Sequence, residues 1–229
     1  MDRNSRITVY AGVNFIVAPL LNLTLDNRLE FQRQLENNGI QLSDLRFDNQ
    51  KLIGTRIANM PLQITIGALG PQIGQIIIVA PELRNRSVEG FSHEANDVAA
   101  IFSQIWPNRQ IVGCDATVRD LYDSTEQHAF QELWETRLNQ PTEGLQLFNR
   151  PVLGGGLRFV MPPTSNVPGE PLIEVKIESF LNDTHKLFLE AQVTWNRPQP
   201  PGTALDPENR LTFVDNFLQN EVVRFIMEG

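Results

Sequence analysis

The sequence contains very little cysteine and histidine, and this scarcity excludes several kinds of site. Among its 229 residues there are one cysteine, Cys114, and three histidines. A single cysteine cannot close an intramolecular disulfide, and it cannot supply the multi-cysteine patterns of structural zinc sites or iron–sulfur clusters. We therefore expect a reducing compartment, the cytoplasm, and neither a bound metal nor another cofactor.

Long apolar runs and basic charge are also scarce. The longest apolar stretches, such as residues 76–80, are far shorter than the roughly 20 residues that cross a bilayer, and the first fifteen residues lack the pattern of a secretory signal. With 27 acidic against 19 basic residues, the formal net charge is −8, which repels phosphate backbones and anionic lipid. The sequence thus predicts no membrane association and disfavours nucleic acid as a partner.

The rest of the composition is typical of a folded protein. With 41% hydrophobic and 20% charged residues, the chain can bury a substantial core as one domain or as two small ones. Alternating or short apolar runs predict strands at 7–17, 45–57 (one strand or two), 62–68, 75–79, 109–118, 145–149, 157–161, 173–177 and 187–195. Because many connections are short, antiparallel pairing is favoured.

Four helices are predicted from apolar spacing and capping signals. They cover about 25–38, 91–106, a third opened by a capping box at 124–127 and running to 138, and a fourth from Pro207. The first helix has a thin apolar stripe of Leu25, Leu29 and Leu35. The last has a broad stripe, Leu211, Val214, Phe217, Leu218, Val222, Phe225 and Ile226, and we expect it to be the main helix packed on the sheet.

These elements predict an α+β fold with a mostly antiparallel sheet, either single or divided in two, and about four packed helices, the last one C-terminal. The element order fits a single α+β domain over 1–229, and it also fits two halves, 1–140 and 145–229. It resembles the order of some bacterial α+β proteins, but no motif residues match a named family.

Two local motifs carry candidate chemistry. In the segment His93-Glu94-Ala95-Asn96-Asp97, His93 and Asp97 share a helix face, but the zincin signature has a second histidine at the last position and no third ligand is evident. We therefore interpret it as a charged helix N-terminus with His93 in solvent. Cys114 would be a nucleophile only if His93 or His128 folded beside it, and free cysteine is usually buried. His185 is expected in an exposed turn.

The remaining motifs are weaker. The glycine clusters at 67–74 and 154–156 precede strands rather than helices, so they lack a helix N-terminus for phosphate. No Gly-x-Ser-x-Gly elbow is present. Asp115, Asp120 and Asp123 cluster near one strand end, but acidic residues are common in turns. The three tryptophans, Trp106, Trp134 and Trp195, lie on predicted core faces.

The sequence therefore names no catalytic, cofactor-binding or metal-binding residue. Well-defined elements without a catalytic signature favour a non-enzymatic protein-binding or assembly protein that acts through surface loops, strand edges or self-association. Its expected partner is another protein or a second copy of itself. The alternative is a hydrolase-like enzyme whose site is assembled from Asp, His and Cys residues that are distant in sequence.

Overall fold

A computed structural model describes residues 1–48, 50–83, 86–141, 143, 145, 148–164 and 169–228. Within these residues, the strands form one antiparallel sheet in the order β2-β3-β4-β5-β1-β6-β9-β8-β7. The strands are β1 Ile7–Ala18, β2 Asp44–Asp48, β3 Lys51–Arg56, β4 Leu62–Ala68, β5 Gly74–Ala80, β6 Gln110–Asp123, β7 Gly156–Met161, β8 Leu172–Ser179 and β9 Lys186–Trp195. The predicted α+β class is confirmed, with a single sheet rather than two.

Four helices lie between and after the strands in the described part of the chain. They are α1 Leu25–Asn37, α2 Val88–Ile105, α3 Ala129–Gln131 with its π-helical continuation Glu132–Arg137, and α4 Pro207–Phe217 with its continuations Leu218–Val222 and Val223–Glu228. Thr24, Ser87 and Asp206 cap α1, α2 and α4 with their side-chain oxygens. No described helix combines the length and the apolar character needed to cross a membrane.

The order of elements occurs twice along the chain. A long strand (β1 or β6) is followed by a helix, by a meander whose last strand pairs back onto that long strand, and by a second helix. The two long strands pair with each other in the middle of the sheet. Each repeat therefore contributes one outer strand, β2 or β7, and these two strands are the edges of the sheet. Whether the chain divides into domains stays a prediction.

The core lies between one face of the sheet and the helices. On β1 the odd-numbered residues Ala11, Val13, Phe15 and Val17 are buried, and α2 and α4 pack against this side and against each other. We call this the helix face. The opposite face, which includes Tyr10 and Asn14, carries mostly polar residues and is called the open face.

Three sequence predictions are wrong in detail. In α1, Leu25 and Leu29 are 60% and 56% exposed, because the helix turns Phe31 and Leu35 toward the core instead. Residues 124–128 form a turn, and α3 begins at Ala129, because the Ser124 hydroxyl donates to Glu132 rather than capping a helix. No strand forms at Leu145, Phe148 or Asn149, while residues 146 and 147 lie outside the described part.

Candidate functional site

The cysteine is not placed for catalysis. Cys114 lies on the helix face of β6 and is 4% exposed, and its thiol sits 3.9 Å from the carbonyl oxygen of Asp115. Burial raises the pKa of this thiol to about 12, an effect that the nearby Arg210 only partly offsets. Since the thiolate is the nucleophile, the protonated Cys114 lacks the activation that a cysteine enzyme needs.

The three histidines lie elsewhere. His93 on α2 is exposed, as predicted, and its Nδ1 lies 3.4 Å from a carboxylate oxygen of Glu208. His128 and His185 stack on each other, with their ring centres 5.9 Å apart, beside the start of α3. Among the described residues, none of the three donates a hydrogen bond to the Cys114 sulfur or accepts one from it.

The motif at 93–97 is held by ion pairs. Glu94 accepts from Arg56 at 2.8 Å and from Arg86 at 2.6 Å. Although burial alone would raise the pKa of Glu94, these hydrogen bonds and charges outweigh it and lower the pKa. No group of three or more potential metal-ligating His, Cys, Asp or Glu side chains occurs in the described part of the chain.

The three aspartates of β6 are separated by the pleat and by the length of the strand. Asp115 is on the open face and accepts from the Asn14 amide at 2.9 Å. Asp120 is fully buried on the helix face, where Arg6 donates to it at 2.8 Å, and Asp123 at the strand end pairs with Lys186. Burial raises the pKa of Asp115 and of Asp120. They do not form a catalytic pair.

A cavity of about 650 Å³ lies beside α3. Its polar lining includes His128, Gln131, Glu135, Arg150 and Thr184, and the Gln131 amide donates to Glu135 at 2.9 Å. The volume is within the usual range for a small-molecule site. However, neither Cys114 nor any aspartate lines it, so the Asp, His and Cys residues named from the sequence do not meet there.

The two edge strands differ sharply in chemistry. On β2, the charged residues Asp44, Arg46 and Asp48 alternate along the strand. Charge of this kind on an exposed edge discourages pairing with another chain. The corresponding strand of the second repeat, β7, carries a single charged residue, Arg158. After the initial glycine, its other residues are all apolar: Leu157, Phe159, Val160 and Met161.

Some backbone hydrogen-bonding groups of β7 point away from the sheet and have no partner among the residues that the structure describes. The Ser179 amide donates to the Gly155 carbonyl at 3.0 Å, and the Phe180 amide donates to Lys186 at 2.8 Å. Gly155 and Ser179 therefore form a hydrogen-bonded pair, and such pairs recur at every second residue along antiparallel strands. The amide and carbonyl of Phe159, which lies opposite Val175, accordingly face β8. The amides and carbonyls of Arg158 and Val160 therefore face outward.

An apolar groove runs beside this edge on the helix face. It has a volume of about 310 Å³ and lies between β7 and the last turns of α4. The rings of Phe159 and Phe225 meet edge to face with centres 5.4 Å apart, yet they remain 37% and 48% exposed. The groove is also lined by Met161, Ile177, Phe217 and Val222.

We did not predict this surface from the sequence, although two features of the sequence are consistent with it: the broad apolar stripe of α4 and the largely apolar strand at 157–161. Within the broad apolar stripe of α4, Phe225 stays exposed while the adjacent Ile226 is buried. The strand predicted at 157–161 lacked the alternating polar residues expected of a solvent-facing edge. No protein-family model matches this sequence, and no curated protein is significantly similar to it.

Proposed function

We propose that this protein binds other protein chains by pairing an extended strand with the free edge of β7. The observation that carries the proposal is the combination of outward-facing backbone groups at Arg158 and Val160 with the apolar groove beside them. Strand addition of this kind obtains affinity from main-chain hydrogen bonds and selectivity from pockets for alternate side chains. We call this surface, formed by β7 and the groove, the β7 edge.

The chemistry of the edge specifies what it would accept. A strand paired with β7 turns every second side chain toward the helix face, where Phe159, Phe217 and Phe225 form an apolar wall. The side chains between them would lie on the open face near Arg158 and Glu174, whose side chains are paired at 2.8 Å. The expected ligand is therefore a segment with apolar residues at alternate positions and polar residues between them.

The proposal is tested by selecting random displayed peptides on the protein at low concentration and then measuring their affinity for two variants. Val160→Pro removes an outward-facing amide without removing a β7–β8 hydrogen bond, whereas Val160→Thr keeps the amide and the side-chain shape. We expect selected peptides with alternating apolar residues to bind the Thr variant normally and the Pro variant at least about tenfold more weakly. Equal binding to all three proteins, or selection of no peptide, would overturn the proposal.

A further inference from the structure

We infer that the strand which occupies the β7 edge is β7 of a second copy of this chain, so that two sheets join across a two-fold axis. This inference rests on the proposed function and names its partner. In such a pair, the same residues meet from both sides, as in other symmetric dimers.

The backbone selects among the symmetric registers. Within β7, the even-numbered residues Gly156, Arg158 and Val160 direct their amides and carbonyls outward, whereas Pro162 just beyond the strand offers only a carbonyl. If Phe159 faces its own copy at the axis, Arg158 of each chain lies opposite Val160 of the other and exchanges both backbone hydrogen bonds with it. If Val160 were at the axis, Arg158 would face Pro162, which has no amide to donate to the Arg158 carbonyl, whereas the register centred on Phe159 places Pro162 opposite Gly156 at the end of β7. An axis at Arg158 would oppose two like charges.

Charges on the open face favour the register centred on Phe159. Within one chain, Lys176 lies directly behind Arg158, and Glu174 lies directly behind Val160. Lys176 and Arg158 form a row of neighbouring side chains across β8 and β7, and Glu174 and Val160 form the next such row. In this register, Arg158 of one copy lies beside Val160 of the other, so that the first row of one copy continues into the second row of the other. Along each row, Lys176 and Arg158 of one copy are therefore followed by Val160 and Glu174 of the other. Glu174, which is paired with Arg158 of its own chain at 2.8 Å, gains Arg158 of the second copy as a further basic neighbour.

The helix face also fits a second copy. At the axis the two Phe159 residues form a pair that is not hydrogen-bonded, the type in which facing side chains come closest. Leu157 of each copy lies opposite Met161 of the other. The exposed side of each groove, at Phe159 and Phe225, then faces the apolar helix-face side chains of β7 in the second copy. The charged edge β2 offers no comparable match.

The test is sedimentation velocity over a wide concentration range, with substitutions at Val160. Because one strand and its groove form a small interface, we expect a monomer–dimer equilibrium with a dissociation constant on the order of 100 micromolar. Val160→Lys places a second cation beside Arg158 of the other copy, whereas Val160→Glu places an anion there. We expect the Lys variant to weaken the dimer by about tenfold and the Glu variant to strengthen it.

The Glu variant is the more informative of the two, because it also makes an already acidic protein more acidic. A general effect of net charge would weaken its dimer, which is opposite to our expectation. Ile57→Lys is the matched control: Ile57 is 72% exposed and lies beyond the end of β3, so its variant should dimerise like the unaltered protein. Circular dichroism of each variant checks that it is folded.

The outcomes separate this inference from the proposed function. A protein that stays monomeric throughout, or a dimer that Val160→Lys and Val160→Glu affect alike, would overturn self-pairing. If self-pairing fails but selected peptides still lose affinity for the Val160→Pro variant, the proposed function is supported and the strand that binds the β7 edge comes from a different protein. A dimer that responds oppositely to the two charges supports both.

Discussion

At the scale of single residues, some charged side chains of this protein connect neighbouring strands of the sheet. Glu190 on β9 illustrates this on the open face, where it is only 3% exposed. It accepts from Arg119 on β6 and from Lys176 on β8, each at 2.5 Å, so one carboxylate links three neighbouring strands. Although burial would raise the pKa of Glu190, these partners outweigh it and lower the pKa.

Replacing this carboxylate should reduce stability in a pH-dependent way. We expect Glu190→Gln to lower the free energy of unfolding at pH 7 by roughly 1–3 kcal/mol, because Arg119 and Lys176 lose an anionic partner and share a single neutral amide oxygen instead. A carboxyl whose pKa is lowered by folding stabilises above its ordinary value, here 4.5, and this contribution is lost as the pH falls through the lower folded value. Urea titrations from pH 7 to pH 3 should therefore show the difference from the unaltered protein narrowing; a constant difference would contradict this assignment.

The state of Cys114 is a second prediction at this scale. Because the thiol is buried and its pKa is raised to about 12, native protein at pH 7.5 should react with a thiol reagent far more slowly than unfolded protein. The labelling rate measured with a chromogenic disulfide reagent should rise on adding urea, in step with unfolding. Rapid labelling of the native state would favour the nucleophilic role that the structure argues against.

At the scale of elements, α4 is fixed to the sheet by a buried polar network as well as by its apolar stripe. Arg6, just before β1, donates to Asp120 on β6 and to Asp215 on α4. Gln219, within the π-helical segment of α4, donates to Asp120 at 2.9 Å and to the Tyr122 hydroxyl, also at 2.9 Å. Burial, together with the charge of Asp120, raises the pKa of Tyr122 to about 12, so its hydroxyl remains protonated.

Removing the cation of this network should be costly. We expect Arg6→Met to lower the free energy of unfolding by roughly 3–5 kcal/mol, because the fully buried Asp120 carboxylate loses its charged partner. Adding Asp120→Asn to this variant should recover part of the loss, since no uncompensated charge then remains. Denaturant unfolding of the two single variants and the double variant measures the coupling, and strictly additive losses would show that the pair is not coupled.

Which elements could be predicted from sequence follows from how each is stabilised. The alternation in β1 and in the β8–β9 hairpin, and the cap at Asp206, are local signals, and these elements form as predicted. The start of α3 depends on Glu132, which binds the Ser124 hydroxyl and the Thr125 amide across a turn. Such contacts, like the choice between Leu29 and Phe31 for the core, depend on tertiary packing that a local pattern does not contain.

At the scale of the whole molecule, a single sheet connects the two topological repeats. β1 and β6 pair along most of their length, and α2 packs against α4 across the same boundary. The candidate site follows from this arrangement, because joining β1 to β6 leaves β2 and β7 as the two edge strands of the described sheet. The sequence predicts that strand edges serve as contact surfaces. It does not show that β7 is an edge strand, because that depends on the order of the strands in the sheet.

The continuous sheet predicts that both repeats unfold together. Trp106 follows α2 and Trp195 ends β9, so variants in which one of these is the sole tryptophan, with Trp134 also replaced, report on one repeat each. We expect the two fluorescence transitions in urea to share one midpoint after correction for the stability of each variant. Two separate midpoints would instead indicate two independently stable halves.

The central claim, that the β7 edge is the binding surface, is tested most directly by amide hydrogen exchange measured residue by residue with NMR. In dilute protein we predict fast exchange at Arg158 and Val160 and slower exchange at Leu157, Phe159 and Met161, whose amides face β8. On raising the protein concentration, or on adding a selected peptide, Arg158 and Val160 should become protected while the amides of β2 do not change. Fast exchange at Arg158 and Val160 under every one of these conditions would contradict the account.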